Sequence, residues 1–271
     1  MTADPNFDPA AFIALAVGNT RARAGLVRNT TVHDPAPIDL ADPHAAANAL
    51  ADLADKSAAR DVLLASVNPP AADALADLLE SAHNLEVHRF GKHLPIPLAL
   101  ALDDTSTVGQ DRLLCALAAY SRAKQACIVI DAGTAITVDF VDGQGVFQGG
   151  VIAPGLRMML DSLHQHTAAL PSVDLAKPDD ARGVFGKDTR HAMLLGVRNA
   201  AIGLARYTAE RYAEAYEAYP QIIATGGDAP LLFDNDQVVE HIVPDLQLQG
   251  IAEAAALLLK ADATHDASDE D

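Results

Sequence analysis

Ile128-Val129-Ile130-Asp131-Ala132-Gly133-Thr134-Ala135-Ile136-Thr137-Val138-Asp139 reads as a strand, a tight turn and a second strand. β-Branched side chains fit a pleated, buried surface. Gly133 supplies the freedom for a sharp turn and lets a ligand approach the backbone. Successive N–H groups at such a turn form a nest for phosphate oxygens. Thr134 adds a hydroxyl there, and Asp131, ending the buried strand, is placed to hold a cation beside them. Taken alone, Asp-x-Gly-Thr more often marks an ordinary hairpin whose Asp and Thr satisfy turn N–H groups.

The flanks extend this pattern. Upstream, a helix runs from Asp111 to about Ala126, with Leu113, Leu114, Leu117 and Tyr120 on one face. Downstream, Asp142-Gly143 or Gly143-Gln144-Gly145 turns a hairpin. Gly149 to Gly155 then leads into a helix bearing Leu156, Met159, Leu160 and Leu163. A polar loop spans Asp174 to Gly186, and a long helix runs from Thr189 to about Tyr216. Gln221 to Thr225 is a strand ending in the Gly226-Gly227 turn. A strand over Val238–Ile242 and a helix within Leu246–Lys260 follow.

The N-terminal half repeats the plan. Phe12 to Ala16 is a strand, Val17-Gly18-Asn19-Thr20 a turn, and Arg21 to Val27 a return strand closed by a turn at Asn29-Thr30-Thr31. A helix over 45–54, a strand over 61–67 stopped by Pro69-Pro70, a helix over 71–82 and a strand over 86–90 follow. Pro95 to Leu98 is loop or edge strand. Ala16 to Thr20 parallels Asp131 to Ala135, so the chain reads as a duplicated α/β unit with a ligand cleft between the halves. The halves are expected at 12–115 and 116–261, with disordered segments at 1–11 and, strongly acidic, at 262–271.

Half of the 271 residues are hydrophobic but only 4% are aromatic, so Ala, Leu, Val and Ile must build the core. A net charge of −18 argues against nucleic acid and anionic membranes as partners. An anionic substrate would enter against that field and need local donors. Cys115 and Cys127 sit in apolar surroundings without metal-ligand spacing, as in a reduced cytoplasmic protein. His164 and His166 read as surface or interface residues. No apolar run reaches membrane-spanning length.

Gly18-Asn19-Thr20, Gly109-Gln110-Asp111-Arg112, Asp131-Ala132-Gly133-Thr134 and Thr225-Gly226-Gly227, in this order, resemble the motifs of the type III pantothenate kinases. The resemblance extends to Ser66-Val67-Asn68-Pro69, to Gly149 through Gly155, to Thr167 through Pro171, and to Pro244 through Gly250. It implies duplicated RNase H-like domains of the actin, sugar-kinase and Hsp70 fold class, with a central cleft. It also implies phosphorylation of pantothenate by ATP with Mg²⁺ and a monovalent cation, K⁺ or NH₄⁺, in a homodimer. By the same resemblance, Val17, Gly18, Asn19, Thr20, Arg21, Gly133, Thr134, Thr225, Gly226 and Gly227 face the nucleotide. Asp131 holds the monovalent cation. Gly109, Gln110, Asp111, Arg112 and Thr189 bind pantothenate, and Asp111 accepts its proton. Asp111 opening a helix and Thr189 opening another are also ordinary helix N-termini.

Two positions depart from the family pattern. Ala16 stands where the first motif has Asp, and Leu102 where a substrate-site Tyr precedes Gly-x-Asp-Arg. The missing carboxylate would help hold a divalent metal against the phosphates. The chain is then a working kinase, with Asp139 or Asp104 as a compensating acid, or a weakened relative that binds nucleotide or pantothenate in a regulatory role. A kinase for another small molecule on the same scaffold is a third reading.

Overall fold

The computed structural model describes residues 11–19, 21–234 and 236–266, with side chains through Ala261. Thr20, Asn235 and residues 1–10 and 267–271 lie outside the described residues. So most of the two segments expected to be disordered falls there too. The described residues form two compact units, those of Met1–Arg122 with Asp245–Asp271, and Ala123–Pro244.

The first unit contains β1 (Ala11–Val17), β2 (Ala22–Arg28), β3 (Thr31–Ile38), α1 (Pro43–Ser57), β4 (Asp61–Ser66), α2 (Pro69–His83), β5 (Glu86–Arg89), the short β6 (Ala99–Leu100) and α3 (Gln110–Ala123, of which Ala123 falls in the second unit). Its sheet runs β3-β2-β1-β4-β5, the first three antiparallel and the last three parallel. The two-residue period of a strand splits the core. Ile13, Leu15 and Val17 pack with Leu50, Leu75 and Leu79 of α1 and α2. Phe12, Ala14 and Ala16 pack on the other face with Leu114 and Leu117 of α3, and with Leu248 and Ile251 of the last helix.

Local signals explain the boundaries. Asn29 and Thr30, at φ of 48° and 65°, form the two-residue β2–β3 turn. β3 carries Pro35 and Pro37, which an edge strand tolerates. Pro69-Pro70, expected to stop a strand, open α2 behind the Asn68 N-cap, because a helix's first turn needs no proline N–H.

The second unit contains β7 (Cys127–Ala132), β8 (Ala135–Val141), β9 (Val146–Pro154), α4 (Leu156–Gln165), α5 (Thr189–Tyr216), β10 (Gln221–Thr225), α6 (Ala229–Phe233) and β11 (His241–Ile242). Its strands follow β11-β10-β7-β8-β9, with β7–β8 and β8–β9 antiparallel and β7–β10 and β10–β11 parallel. This repeats the first unit's order. Ile128, Ile130, Ile136 and Val138 pack on Leu160, Leu194, Val197 and Leu232 of α4, α5 and α6. The fold is the duplicated RNase H-like α/β class expected above. The last helix, α7 (Leu246–Asp266), follows the second unit in sequence but belongs with the first. No helix among the described residues is long and apolar enough to cross a membrane.

Candidate active site

In the first unit, β1 turns into β2 through Gly18, whose N–H donates to Arg21 O at 2.9 Å. A Cβ at position 18 would stand 2.9 Å from that oxygen, so the turn closes only around glycine. Val17 is buried, while Asn19 and Arg21 are exposed and available to an anion. Val67, just past β4, donates its N–H to Val17 O at 3.1 Å. Gly109 packs against Val67: a Cβ built on it would stand 3.6 Å from Val67 Cγ1 and collide with Asp111 Oδ1. The half-buried Asp111 therefore lies beside the strand ends that carry the Gly18 turn. Its Oδ1 accepts the Arg112 N–H at 2.8 Å in the first turn of α3, where a negative charge is favoured. Arg112 is also half-buried. Gln110 Oε1 accepts from Ser66 N at 3.1 Å, and its Nε2 donates to Phe90 O at 2.8 Å.

Ala16 is 6% exposed within the apolar layer under α3 and α7. Arg23 lies directly across the ladder from it. The guanidinium of Arg23 donates to Asp245 Oδ2 at 3.0 Å, a pairing between residues 222 positions apart that no local pattern announces. Leu102 is half-buried. Asp104 is exposed and accepts from both the N–H and the hydroxyl of Ser106, which hold its carboxyl below the usual carboxylate range.

In the second unit, Gly133 N donates to Ala135 O at 2.9 Å to close the β7–β8 turn, and Thr134 is exposed at its tip. β10 pairs parallel to β7 with Thr225 opposite Asp131. Gly226 follows at φ +91°, and any Cβ there would collide with Ala132 O and Asp131 Oδ1. Asp131, Gly133, Thr134, Thr225, Gly226 and Gly227 thus gather at the carboxyl ends of two parallel strands, where ligands of α/β sheets bind. Asp139, 1% exposed, lies opposite Val129, further down the face that carries Asp131. Thr189 is exposed and opens α5, but Asp188 is the N-cap. The His191 N–H and the Arg182 guanidinium hold the Asp188 carboxyl below its usual range.

Asp61 and Glu86, which open β4 and β5, and His88, third in β5, bring metal-type ligand atoms within 4.8 Å of one another. There Asp61 Oδ1 and His88 Nε2 already lie 2.8 Å apart. Cys115 and Cys127 are buried free thiols, and burial pushes the Cys127 thiol up to about 12.

A family model for type III pantothenate kinase matches residues 12–211. A type III pantothenate kinase from Acidiphilium cryptum is 41% identical over 153 residues, 56% of this chain and 56% of that protein. One from Syntrophotalea carbinolica is 31% identical over 191 residues, 70% of this chain and 74% of that protein. The chain thus spans 56% of the length of the first relative and 74% of the second. A glucokinase from an Antarctic psychrotroph superposes with a TM-score of 0.51 at 12% identity, covering 92% of this chain and 99% of that one, a likeness of fold alone.

Proposed function

Because the chain belongs to the type III pantothenate kinase family, we propose that it phosphorylates pantothenate with ATP to give 4′-phosphopantothenate, the first step towards coenzyme A. The observation that carries this reading is the position of Asp111, at a helix N-terminus next to Gly109, which packs on Val67 beside the strand ends that bear the Gly18 turn. In the reaction, the primary hydroxyl oxygen of pantothenate attacks the γ-phosphorus in line, its proton passes to Asp111, and ADP leaves. Little covalent work falls to the protein, so positioning and charge neutralisation dominate. Arg112, always charged, meets the pantothenate carboxylate beside Gly109. By the resemblance, Val17, Gly18, Asn19 and Arg21 of the first unit and Gly133, Thr134, Thr225, Gly226 and Gly227 of the second are each assigned to the nucleotide.

Asp131, with the Ala132 carbonyl beside it, presents hard oxygen donors that suit K⁺, and a carboxylate that suits NH₄⁺ equally. Mg²⁺ would be held through the substrate phosphates and water, because β1 offers it no carboxylate at position 16. The protein is read as a cytoplasmic homodimer, which sedimentation velocity tests.

The assay is ADP release with millimolar ATP, Mg²⁺ and K⁺ or NH₄⁺. Release should require pantothenate. Asp111→Asn should lower it about 10²–10⁴-fold, the usual worth of a positioned general base. Wild-type protein that turns nothing over eliminates the kinase reading. Calorimetric binding of pantothenate or nucleotide would then favour a binding protein.

A further inference from the structure

The carboxamide of Gln110 stands in the place of a missing ladder rung. β4 and β5 run parallel with Leu64 opposite Arg89, and Phe90 N donates to Leu64 O at 2.9 Å. In a parallel ladder the next bond would run from Ser66 N to Phe90 O. Here Ser66 N donates instead to Gln110 Oε1 at 3.1 Å, and Phe90 O accepts from Gln110 Nε2 at 2.8 Å. One planar side chain, with an acceptor at one corner and a donor at the other, replaces the peptide-to-peptide bond. A side chain on Gly91 would collide with that Nε2. The strands therefore part at their carboxyl ends, which is where parallel sheets admit ligands.

Gln110 is also the first residue of α3, and Asp111 is the second. We propose that Gln110 is a positioning residue, whose carboxamide, spliced between the ends of β4 and β5, sets where the Asp111 carboxylate stands. The inference rests on the reading of Asp111 as the proton acceptor. It reassigns Gln110 from a pantothenate contact to a clasp, because both ends of its amide are already engaged. Only a carboxamide of this length can do this. Glutamate keeps the shape but brings no donor for Phe90 O. Leucine leaves both backbone groups unpaired. Asparagine falls one methylene short.

The test uses the full chain with Gln110→Glu and Gln110→Leu, measured for kcat, for KM of ATP and of pantothenate, and for hydrogen exchange at the Ser66 amide. Both variants should lose about 10- to 100-fold in kcat, the scale of a small misplacement of a reacting group, with both KM values within about threefold. Leucine should speed Ser66 exchange most. In the Gln110→Leu, Asp111→Asn double variant the loss should not exceed that of Asp111→Asn alone, since the two act as one unit.

A raised KM for pantothenate with unchanged kcat and unchanged Ser66 exchange would overturn the inference in favour of direct contact. A lowered melting temperature with unchanged kcat would overturn it in favour of a purely structural bond. If the leucine variant does not fold, the isosteric glutamate variant carries the same test. If wild type shows no pantothenate-dependent ADP release, the kinase reading fails separately. Unaltered Ser66 exchange in Gln110→Glu and Gln110→Leu would still sink the clasp.

Discussion

Ala16→Asp asks what the missing first-motif carboxylate costs. Position 16 is 6% exposed, set among Phe12, Ala14, Ala65 and Leu114. A carboxylate placed there loses its water, an effective penalty of several kcal/mol for a buried ion. Arg23, directly opposite, can return part of it. That guanidinium is already held by Asp245 and is 42% exposed, so its help is shared and screened. The net expectation is a loss of about 1–3 kcal/mol without ligand, or a urea midpoint lower by about 0.3–1 M at a slope near 3 kcal/mol/M. Turnover should move the other way. A charged contact made at the reacting phosphates is worth about 2–4 kcal/mol, so ADP release should rise about 30-fold or more. Mg²⁺ with ATP should restore more stability to the variant than to wild type, because it binds the folded state. Ala16→Asn, of the same shape but uncharged, should show neither the rate gain nor the extra Mg²⁺ response. Lost stability with no gain in turnover would refute the reasoning and make position 16 irrelevant to the rate.

Gly226→Ala places a Cβ against Ala132 O and Asp131 Oδ1 at a φ of +91°, so it should cost about 2–4 kcal/mol and weaken monovalent-cation activation, read from melting curves and K⁺ titrations. The Asp236 side chain is 7% exposed and accepts from Val238 N, Val239 N and Arg206. Burial pushes its carboxyl up, and the Val238 N–H, Arg206 and the Val239 N–H more than reverse this, leaving it below the usual carboxylate range. Its stabilisation is therefore fully present above about pH 4 and lost as pH falls through the lowered value. Asp236→Asn should cost about 1–2 kcal/mol at pH 7 and flatten the acid limb of the stability curve, followed by urea titration at several pH values. With Cys127 pushed up to about 12 and Cys115 buried, neither thiol should react with a disulfide reagent at pH 8 until the protein is unfolded.

Much of this architecture is readable from periodicity. The long helix over Thr189–Tyr216 appears in full, and the Gly133 and Gly18 turns fall between strands as expected. What escapes is set by distant neighbours. β3 hides behind Pro35 and Pro37 because it is an edge strand with little burial to pattern it. The strand expected over 238–242 shrinks to His241–Ile242, because Asp236 takes the N–H groups of Val238 and Val239 away from any ladder. A helical pattern says that α7 buries a face, but not which sheet receives it. In the candidate site, motif glycines such as Gly226 announce their turns through a backbone that no other residue would adopt comfortably. The two bonds of Gln110 stay silent because they depend on the register of β4 against β5.

The return of α7 to the first sheet bears on how the chain is made. Leu248, Ile251 and Ala255 seal one side of a layer whose strands leave the ribosome long before them. Until those residues are translated, Phe12, Ala14 and Leu63 lack that cover, and a chaperone would find them during synthesis of everything from β7 to β11. A nascent chain stalled before Leu246 should stay protease-sensitive in its first hundred or so residues, although those residues already contain every strand of their sheet.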